Sequence, residues 1–256
     1  MWDLLTEYTL MGGFKDLTLS VFKRDITPNL GKFIPTWIEL IEGHLPNSLP
    51  NSQEWTPVNV YPKVLRQLGI LTARVMVDAD TPHNENWQFL STEYLDSGMS
   101  YAHDLKQWPA LMRPFVYRFM PQYTEVQRQF KNGRRVIVNA INMFDERESN
   151  ETAEPEPKTV LYHLSRKVKG TSASVVEMHL KEQMNLASGA IHTTSAVLTQ
   201  TIFELAARPS YIPELRKEIM EIQTKFGQLK KAALWEMHKM DSFVREVHRL
   251  HSPNLS

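Results

Sequence analysis

The chain has 256 residues, of which 42% are hydrophobic and 23% charged, a composition typical of a globular protein. Its 29 basic and 29 acidic residues give zero net charge, and no Lys and Arg cluster alternates with aromatics, which excludes a nucleic-acid-binding surface. The chain contains no cysteine, which excludes disulfides, thiolate metal sites and cysteine nucleophiles.

Membrane segments are not predicted either. No stretch approaches the roughly 18 to 20 consecutive apolar residues that a membrane-spanning helix needs. The first residues lack the basic segment and the apolar run of a signal peptide. We therefore expect the chain as given to be soluble and cytoplasmic.

Helices are expected throughout, because apolar residues recur at steps of three and four and only 10 glycines are present. Residues 1–42 indicate two or three short helices, and a long connection rich in Pro, Asn and Ser follows over 43–57. Apolar side chains then form one helical stripe over 58–80, which Pro82 ends. The predicted fold class is mainly α.

Three segments follow this helix. A second long helix is predicted over 85–107, a proline-rich turn region over 108–121 and an amphipathic helix over 124–148. The segment 149–158 is acidic and contains prolines but no apolar anchor, which predicts a mobile surface loop.

The longest predicted helix spans about 172–208 and ends before Pro209. Its central part is apolar or small on nearly every face, so we expect it to be surrounded by protein as the spine of the fold. A charged helix over 211–226 is closed by Gly227, and a final helix begins near Asp241.

Small residues in the longest helix form the first candidate site. Gly189 and Thr193 lie four residues apart, so the Thr193 hydroxyl can donate back to the Gly189 carbonyl. Ala187, Ser188 and Ala190 extend a run of small side chains that allows local unwinding and a ligand-sized notch. The alternative is a tightly packed helix crossing that requires small side chains.

Glu246 and Arg249 form the second candidate, three residues apart on one face of the final helix. Glu125 and Arg128 have the same spacing in an earlier helix, so the pattern alone is typical of a solvated ion pair.

A metal site is not predicted. His248 and His251 are close to Glu246 in sequence, but offsets of two and five residues do not place all three side chains on one helical face. Neither a Ser-His-Asp arrangement nor a phosphate-binding glycine loop occurs. The remaining candidate histidines are interpreted as structural: His103, His163 and His179.

The block NLASGAIHTTSAVLTQTIFELAARPSYIPELRKEI resembles helices I and J of fungal cytochrome P450 enzymes. In those enzymes an Ile-His-Thr-Thr form of the oxygen-activation motif precedes a Leu-Ala-Ala-Arg-Pro helix end. The resemblance places Thr193 at the catalytic threonine and His192 where most of the superfamily has an acid. Because an imidazole titrates near neutral pH, His192 becomes a candidate proton relay. Gly189 and Ala190 become candidates for the substrate pocket.

The segment MDSFVREVHRL follows in the family's order and resembles its helix K, where Glu246 and Arg249 match a structural motif. Upstream, ITPNLGKFIP, WTPVNVYPKVLRQLGILTARVMV and WPALMRPFVYRFMP look like the same fungal subfamily. For intact relatives, the resemblance implies a monooxygenase with haem as cofactor and apolar secondary metabolites such as terpenoids as substrates. It also implies a reductase as partner and a location at the endoplasmic reticulum membrane.

The chain departs from this family at the haem ligand, because the cysteine that holds the iron is absent. By the resemblance, the membrane anchor and the cysteine loop lie outside residues 1–256, so we expect one truncated, partial cytochrome P450 domain. We further expect that the chain alone binds no haem stably and is inactive as an enzyme.

Two other functions remain open. The chain could act as a non-catalytic helical protein that binds an apolar ligand or a partner. A domain cut between its helices exposes apolar surface, which would favour self-association. The third interpretation is a truncated gene product without a function.

Overall fold

The computed structural model describes residues 16–149 and 156–252. Every regular element in these ranges is helical, which confirms the predicted mainly α fold class. Among the described helices, none is long and apolar enough to cross a membrane. The α-helices are α1 Asp16–Val21, α2 Ile34–Ser48, α3 Val60–Met76, α4 Glu85–Lys106, α5 Arg113–Val116, α6 Pro121–Ser149, α7 Val160–Lys167, α8 Ala173–Ala207, α9 Tyr211–Phe226, α10 Lys231–Trp235 and α11 His238–Leu250.

The chain divides into two compact units. The first contains Met1–Pro28 and Gly69–Ile191, and the second contains Asn29–Leu68 and His192–Ser256. Both α3 and α8 contribute residues to each unit. The single domain expected from the sequence stays a prediction, as does the mobile loop over 149–158, because residues 150–155 lie outside the described ranges.

The core of the first unit forms where α4, α6 and α8 cross. Gly133 of α6 faces this crossing, and a Cβ atom built there would lie 2.7 Å from side-chain carbons of both Leu90 and Leu180. Both leucines are buried. Tyr94 and Phe130 pack beside the crossing with ring centroids 5.5 Å apart. The absence of a side chain at Gly133 therefore allows these helices to approach closely.

Helix ends follow the local signals that the sequence carries. The predicted helix over about 172–208 is observed as Ala173–Ala207. The Asn84 side chain accepts a hydrogen bond from the Trp87 amide at 3.1 Å and so caps the start of α4. Gly227 ends α9 with a φ of 72°, a backbone conformation that glycine adopts without a Cβ clash.

The predicted connection over 43–57 is wrong in its first part, because α2 continues to Ser48 with Pro46 inside it. Two side chains satisfy carbonyls in this last turn. The Asn47 amide donates to the Gly43 carbonyl at 2.9 Å, and the Ser48 hydroxyl donates to the Leu45 carbonyl at 2.7 Å. These bonds supply partners for carbonyl groups at the end of the helix.

In the second unit, a buried carboxylate holds the start of α11. Glu218 of α9 accepts hydrogen bonds from the backbone amides of Lys239 at 2.7 Å and Met240 at 2.9 Å. A carboxylate at a helix N-terminus accepts hydrogen bonds from the first backbone amides and interacts favourably with the positive end of the helix dipole. Ile222 and Met237 belong to the apolar cluster that packs α9 near this contact.

Candidate functional site

The second half of α8 has one buried face and one open face. Ile191, Ser195 and Thr199 are buried, whereas Gly189 and Thr193 are exposed. The sequence-based expectation that protein surrounds this part of the helix is therefore wrong for one side. The alternation follows from the helical repeat, because positions four residues apart lie on the same face.

Gly189 lies on the open face, one turn before Thr193. A Cβ atom built at Gly189 would meet no described atom within 4 Å. The tight helix crossing that the sequence left open as an alternative is therefore not found at this residue. Ala190, the second pocket candidate, is half-buried beside it.

His192 is half-buried and contacts Tyr61 from the first turn of α3. The Tyr61 hydroxyl lies 3.4 Å from the Nδ1 atom of His192. A contact at this ring nitrogen influences which imidazole nitrogen carries the proton. Sequence reasoning missed Tyr61, because 131 positions separate it from His192 and no local pattern links the two.

Glu246 and Arg249 form a bidentate pair on the surface of α11. The guanidinium donates from Nε to Oε2 at 2.8 Å and from Nη2 to Oε1 at 2.7 Å. Their side chains are 55% and 67% exposed, so the pair is hydrated. The hydrogen bond from Arg249 is the main reason that the pKa of Glu246 lies below its usual value.

The same geometry occurs at Glu125 and Arg128 of α6. There the guanidinium donates from Nε at 3.0 Å and from Nη2 at 2.9 Å. The pKa of Glu125 is likewise lowered, first by its hydrogen bond from Arg128. Geometry therefore does not distinguish the motif candidate from an ordinary surface pair.

A polar network joins the end of α8 to the end of α11 within the second unit. Glu204 contacts the Nε2 atom of His251 at 2.8 Å and also pairs with Arg208. Beside this network lies a groove of about 660 Å³ with apolar lining from Tyr211 and Phe243. Sequence reasoning missed this groove, because its residues come from three helices.

This chain is similar to known cytochrome P450 proteins. The model of the cytochrome P450 family matches residues 74–255. The cytochrome P450 monooxygenase braC of Annulohypoxylon truncatum is 30% identical over 96% of this chain and 49% of its own length. The cytochrome P450 monooxygenase esdpI of Penicillium shearii is 28% identical over 92% of this chain and 46% of its own length.

A solved structure shows the same fold. Retinoic acid bound cyanobacterial CYP120A1 superposes with a TM-score of 0.59 at 17% identity, over 97% of this chain and 53% of that chain. The helices and their order therefore define a partial cytochrome P450 fold. Since the family model matches most of the sequence, the chain belongs to the cytochrome P450 family. It spans about half the length of the curated relatives it matches.

Intact members of this family use haem, and the residues present meet only part of its requirements. At Gly189 an added Cβ atom would meet no described atom within 4 Å, so this residue does not obstruct the open face. However, the sequence contains no cysteine, and the described residues contain no cluster of three metal-binding side chains. The donor set therefore does not fit a haem–thiolate complex formed by this chain alone.

Proposed function

We propose that this chain forms the part of a cytochrome P450 monooxygenase that carries the oxygen-activation helix. The whole enzyme would oxidise apolar secondary metabolites such as terpenoids. The observation that carries this proposal is the open face of α8, where Gly189 leaves space and Thr193 is exposed one turn later. In the whole enzyme, haem supplies the oxygen chemistry and a reductase supplies electrons. Its location would be the endoplasmic reticulum membrane.

Each residue of the site has a proposed role in that enzyme. Thr193 presents a hydroxyl that can donate and accept hydrogen bonds on the open face. His192, next to it, transfers protons, and Tyr61 orients its ring through the contact at Nδ1. Gly189 and Ala190 admit an apolar substrate because neither has a side chain beyond Cβ.

The test uses the full-length enzyme, the product of a transcript that continues in frame from this chain to a segment containing a cysteine. Two neighbouring threonines of this chain provide matched variants. Thr194 is exposed like Thr193 but lies one position further along the helix. We expect Thr193→Ala to lower the product formed per reducing equivalent consumed, and Thr194→Ala to leave this ratio close to that of the unmodified enzyme. Equal effects of the two variants would contradict the proposed role of Thr193.

We also propose that the chain alone is catalytically inactive, because it has no thiolate to hold haem iron. Purified chain mixed with haem, then reduced and treated with carbon monoxide, should not show the Soret band of a thiolate-bound haem. Appearance of that band would overturn this proposal. This spectrum reports on the chain alone and is independent of the threonine test.

A second function is favoured by exposed apolar side chains near the end of α8. Leu198, Ile202 and Phe203 are all exposed in the second unit. Exposed apolar stripes of this kind are typical of surfaces that bind a partner. We therefore propose non-catalytic binding, including self-association, as the alternative, which light scattering on the purified chain tests.

A further inference from the structure

The segment between α4 and α6 in the first unit exposes large apolar side chains. Leu111, Phe115 and Phe119 are 89%, 74% and 86% exposed. They recur every four residues along a turn, α5 and the 3₁₀ turn that follows it, so the helical repeat places them on one side of the segment. Large apolar side chains grouped in this way are typical of a surface that contacts a partner or a membrane.

The opposite side of this segment packs against α4. Val116 and Tyr117 contact a buried cluster formed by Tyr101, Leu105 and Met120. The Tyr101 hydroxyl donates a hydrogen bond to the Tyr117 carbonyl at 3.0 Å. The exposed apolar side chains therefore belong to a segment that is held to the rest of the first unit by its other side.

Three cations accompany the apolar side chains, whereas residues 105–124 contain no acidic residue. The Arg113 guanidinium donates to the carbonyls of Trp108 at 3.0 Å and Lys106 at 3.3 Å. The Arg118 guanidinium donates to the Tyr117 hydroxyl at 2.7 Å. These partners are neutral, so they leave the positive charge of the arginines unbalanced. Lys106 is exposed and adds the third positive charge.

The acidic residues on either side of this range do not cancel these charges. Asp104 accepts a hydrogen bond at Oδ2 from the Gln122 amide at 2.6 Å. Glu125 pairs with Arg128 at 2.9 Å, so its charge is balanced within α6. Even when Asp104 is counted, the three cations of the segment outnumber the carboxylates that remain.

Two amphipathic aromatic rings lie in the same segment. Trp108 is exposed at the end of α4, and the ring of Tyr117 lies 5.3 Å from the guanidinium carbon of Arg118. Tryptophan and tyrosine are enriched where a protein meets the membrane–water interface, because one end of each ring is apolar and the other is polar. Apolar, amphipathic aromatic and cationic side chains together are typical of segments that lie on a membrane surface.

We propose that residues 106–119 form a contact surface for a membrane that contains anionic lipids. Leu111, Phe115 and Phe119 enter the boundary between head groups and acyl chains, where burial of apolar area favours binding. Lys106 and Arg118 contact lipid phosphates, because basic side chains are attracted to an anionic membrane surface. The proposal rests on the proposed function only for the identity of the membrane, which would be that of the endoplasmic reticulum.

The test measures binding of the full chain to sedimented vesicles of phosphatidylcholine mixed with phosphatidylserine. Phe115→Ser and Phe119→Ser together should weaken binding by about tenfold or more, because both rings lose their burial in the lipid. The control combines Met220→Ser with Trp235→Ser, which removes exposed apolar side chains from the second unit. This control should leave binding to the vesicles unchanged.

A second pair of double variants tests the charges. Lys106→Gln and Arg118→Gln together should weaken binding to the mixed vesicles by about tenfold and should have little effect on binding to pure phosphatidylcholine. Lys169→Gln and Lys217→Gln alter exposed lysines outside the segment and should leave both affinities unchanged.

Far-UV circular dichroism confirms that each variant is folded. The experiment needs no haem, so its result is independent of the threonine test. Absence of binding of the unmodified chain to the mixed vesicles would overturn the proposal, as would equal losses in the two apolar double variants. A smaller scattering mass of the phenylalanine variant without vesicles, together with no vesicle binding by the unmodified chain, would assign the surface to a second copy instead.

Discussion

His163 is a half-buried residue of α7 whose protonation is linked to folding. Burial penalises the charged imidazole and is the first cause that lowers its pKa below the ordinary value. Lys158 and Lys167 lower the pKa further, and Asp25 raises it. The folded chain therefore binds fewer protons at this residue than the unfolded chain as the pH falls from about 6.5.

This difference predicts a loss of stability in acid. The stabilisation is fully present above the unfolded pKa of about 6.5 and is lost as the pH falls through the lower folded pKa. We expect His163→Asn, which cannot titrate, to reduce the fall in the urea unfolding midpoint between neutral and mildly acidic pH. His248→Asn, an exposed residue of α11, serves as the control and should keep the unmodified slope. A slope unchanged by His163→Asn would contradict the prediction.

The two Glu–Arg pairs allow a second prediction about single residues. Glu246 and Glu125 both accept bidentate hydrogen bonds from an arginine three residues later on an exposed helix face. Exposed pairs contribute little, because water competes for both charges. We expect Glu246→Gln and Glu125→Gln to change the thermal unfolding midpoint equally and only slightly. A much larger loss in Glu246→Gln would show a structural role for the family motif in this chain.

At the level of helices, the boundaries that could be predicted from the sequence are those with local chemical signals. Pro209 and Gly227 ended the predicted helices correctly, because a proline lacks the backbone donor and a glycine accepts positive φ. Pro46 misled the prediction, since the helix continues through it to Ser48 and two side-chain hydrogen bonds satisfy carbonyls of that last turn. The cap from Glu218 to α11 was not predictable, because it comes from another helix.

The crossing at Gly133 supports a prediction about helix packing. Gly133→Ala would place a methyl group 2.7 Å from both Leu90 and Leu180, which are buried and have little room to move. Overpacking of this kind costs about 1–3 kcal/mol. We expect the free energy of unfolding, measured with urea, to fall by about 1 kcal/mol or more after the gain in helix propensity is included.

Gly43→Ala is the matched control for this crossing. Gly43 also lies within a helix, but an added Cβ atom would meet nothing within 4 Å. The substitution should therefore stabilise the chain by about 0.5–1 kcal/mol through helix propensity alone. A stabilising effect at both glycines would show that the crossing near Leu180 is looser than its geometry indicates.

For the whole molecule, the sequence predicted the mainly α class because helical periodicity is local. The roles of the candidate site residues could not be predicted from local periodicity. Spacing alone left Gly189 and Thr193 open to a packed crossing, and only the resemblance to a family assigned them a role. The exposure of the α8 face could not be predicted from its apolar composition, since which faces are covered depends on the rest of the fold.

Exposed apolar residues near the end of α8 lead to a prediction about the state of the chain in solution. Leu198 and Ile202 lie four residues apart, so they form a stripe on which the helix of a second copy can pack, and Phe203 is exposed in the same turn. We expect the purified chain to scatter light as a species larger than a monomer and to bind a hydrophobic dye. The double variant Leu198→Ser and Phe203→Ser should reduce both signals, because it removes apolar area from the stripe.

A second apolar surface provides the control for this prediction. Phe115 and Phe119 are 74% and 86% exposed in the turn region between α4 and α6. Serine at both positions removes apolar area of comparable kind from the first unit without altering the α8 stripe. If self-association depends on α8, this second double variant should leave the scattering mass close to that of the unmodified chain. A monomer in the unmodified chain, or an equal loss of mass in both double variants, would contradict association through α8.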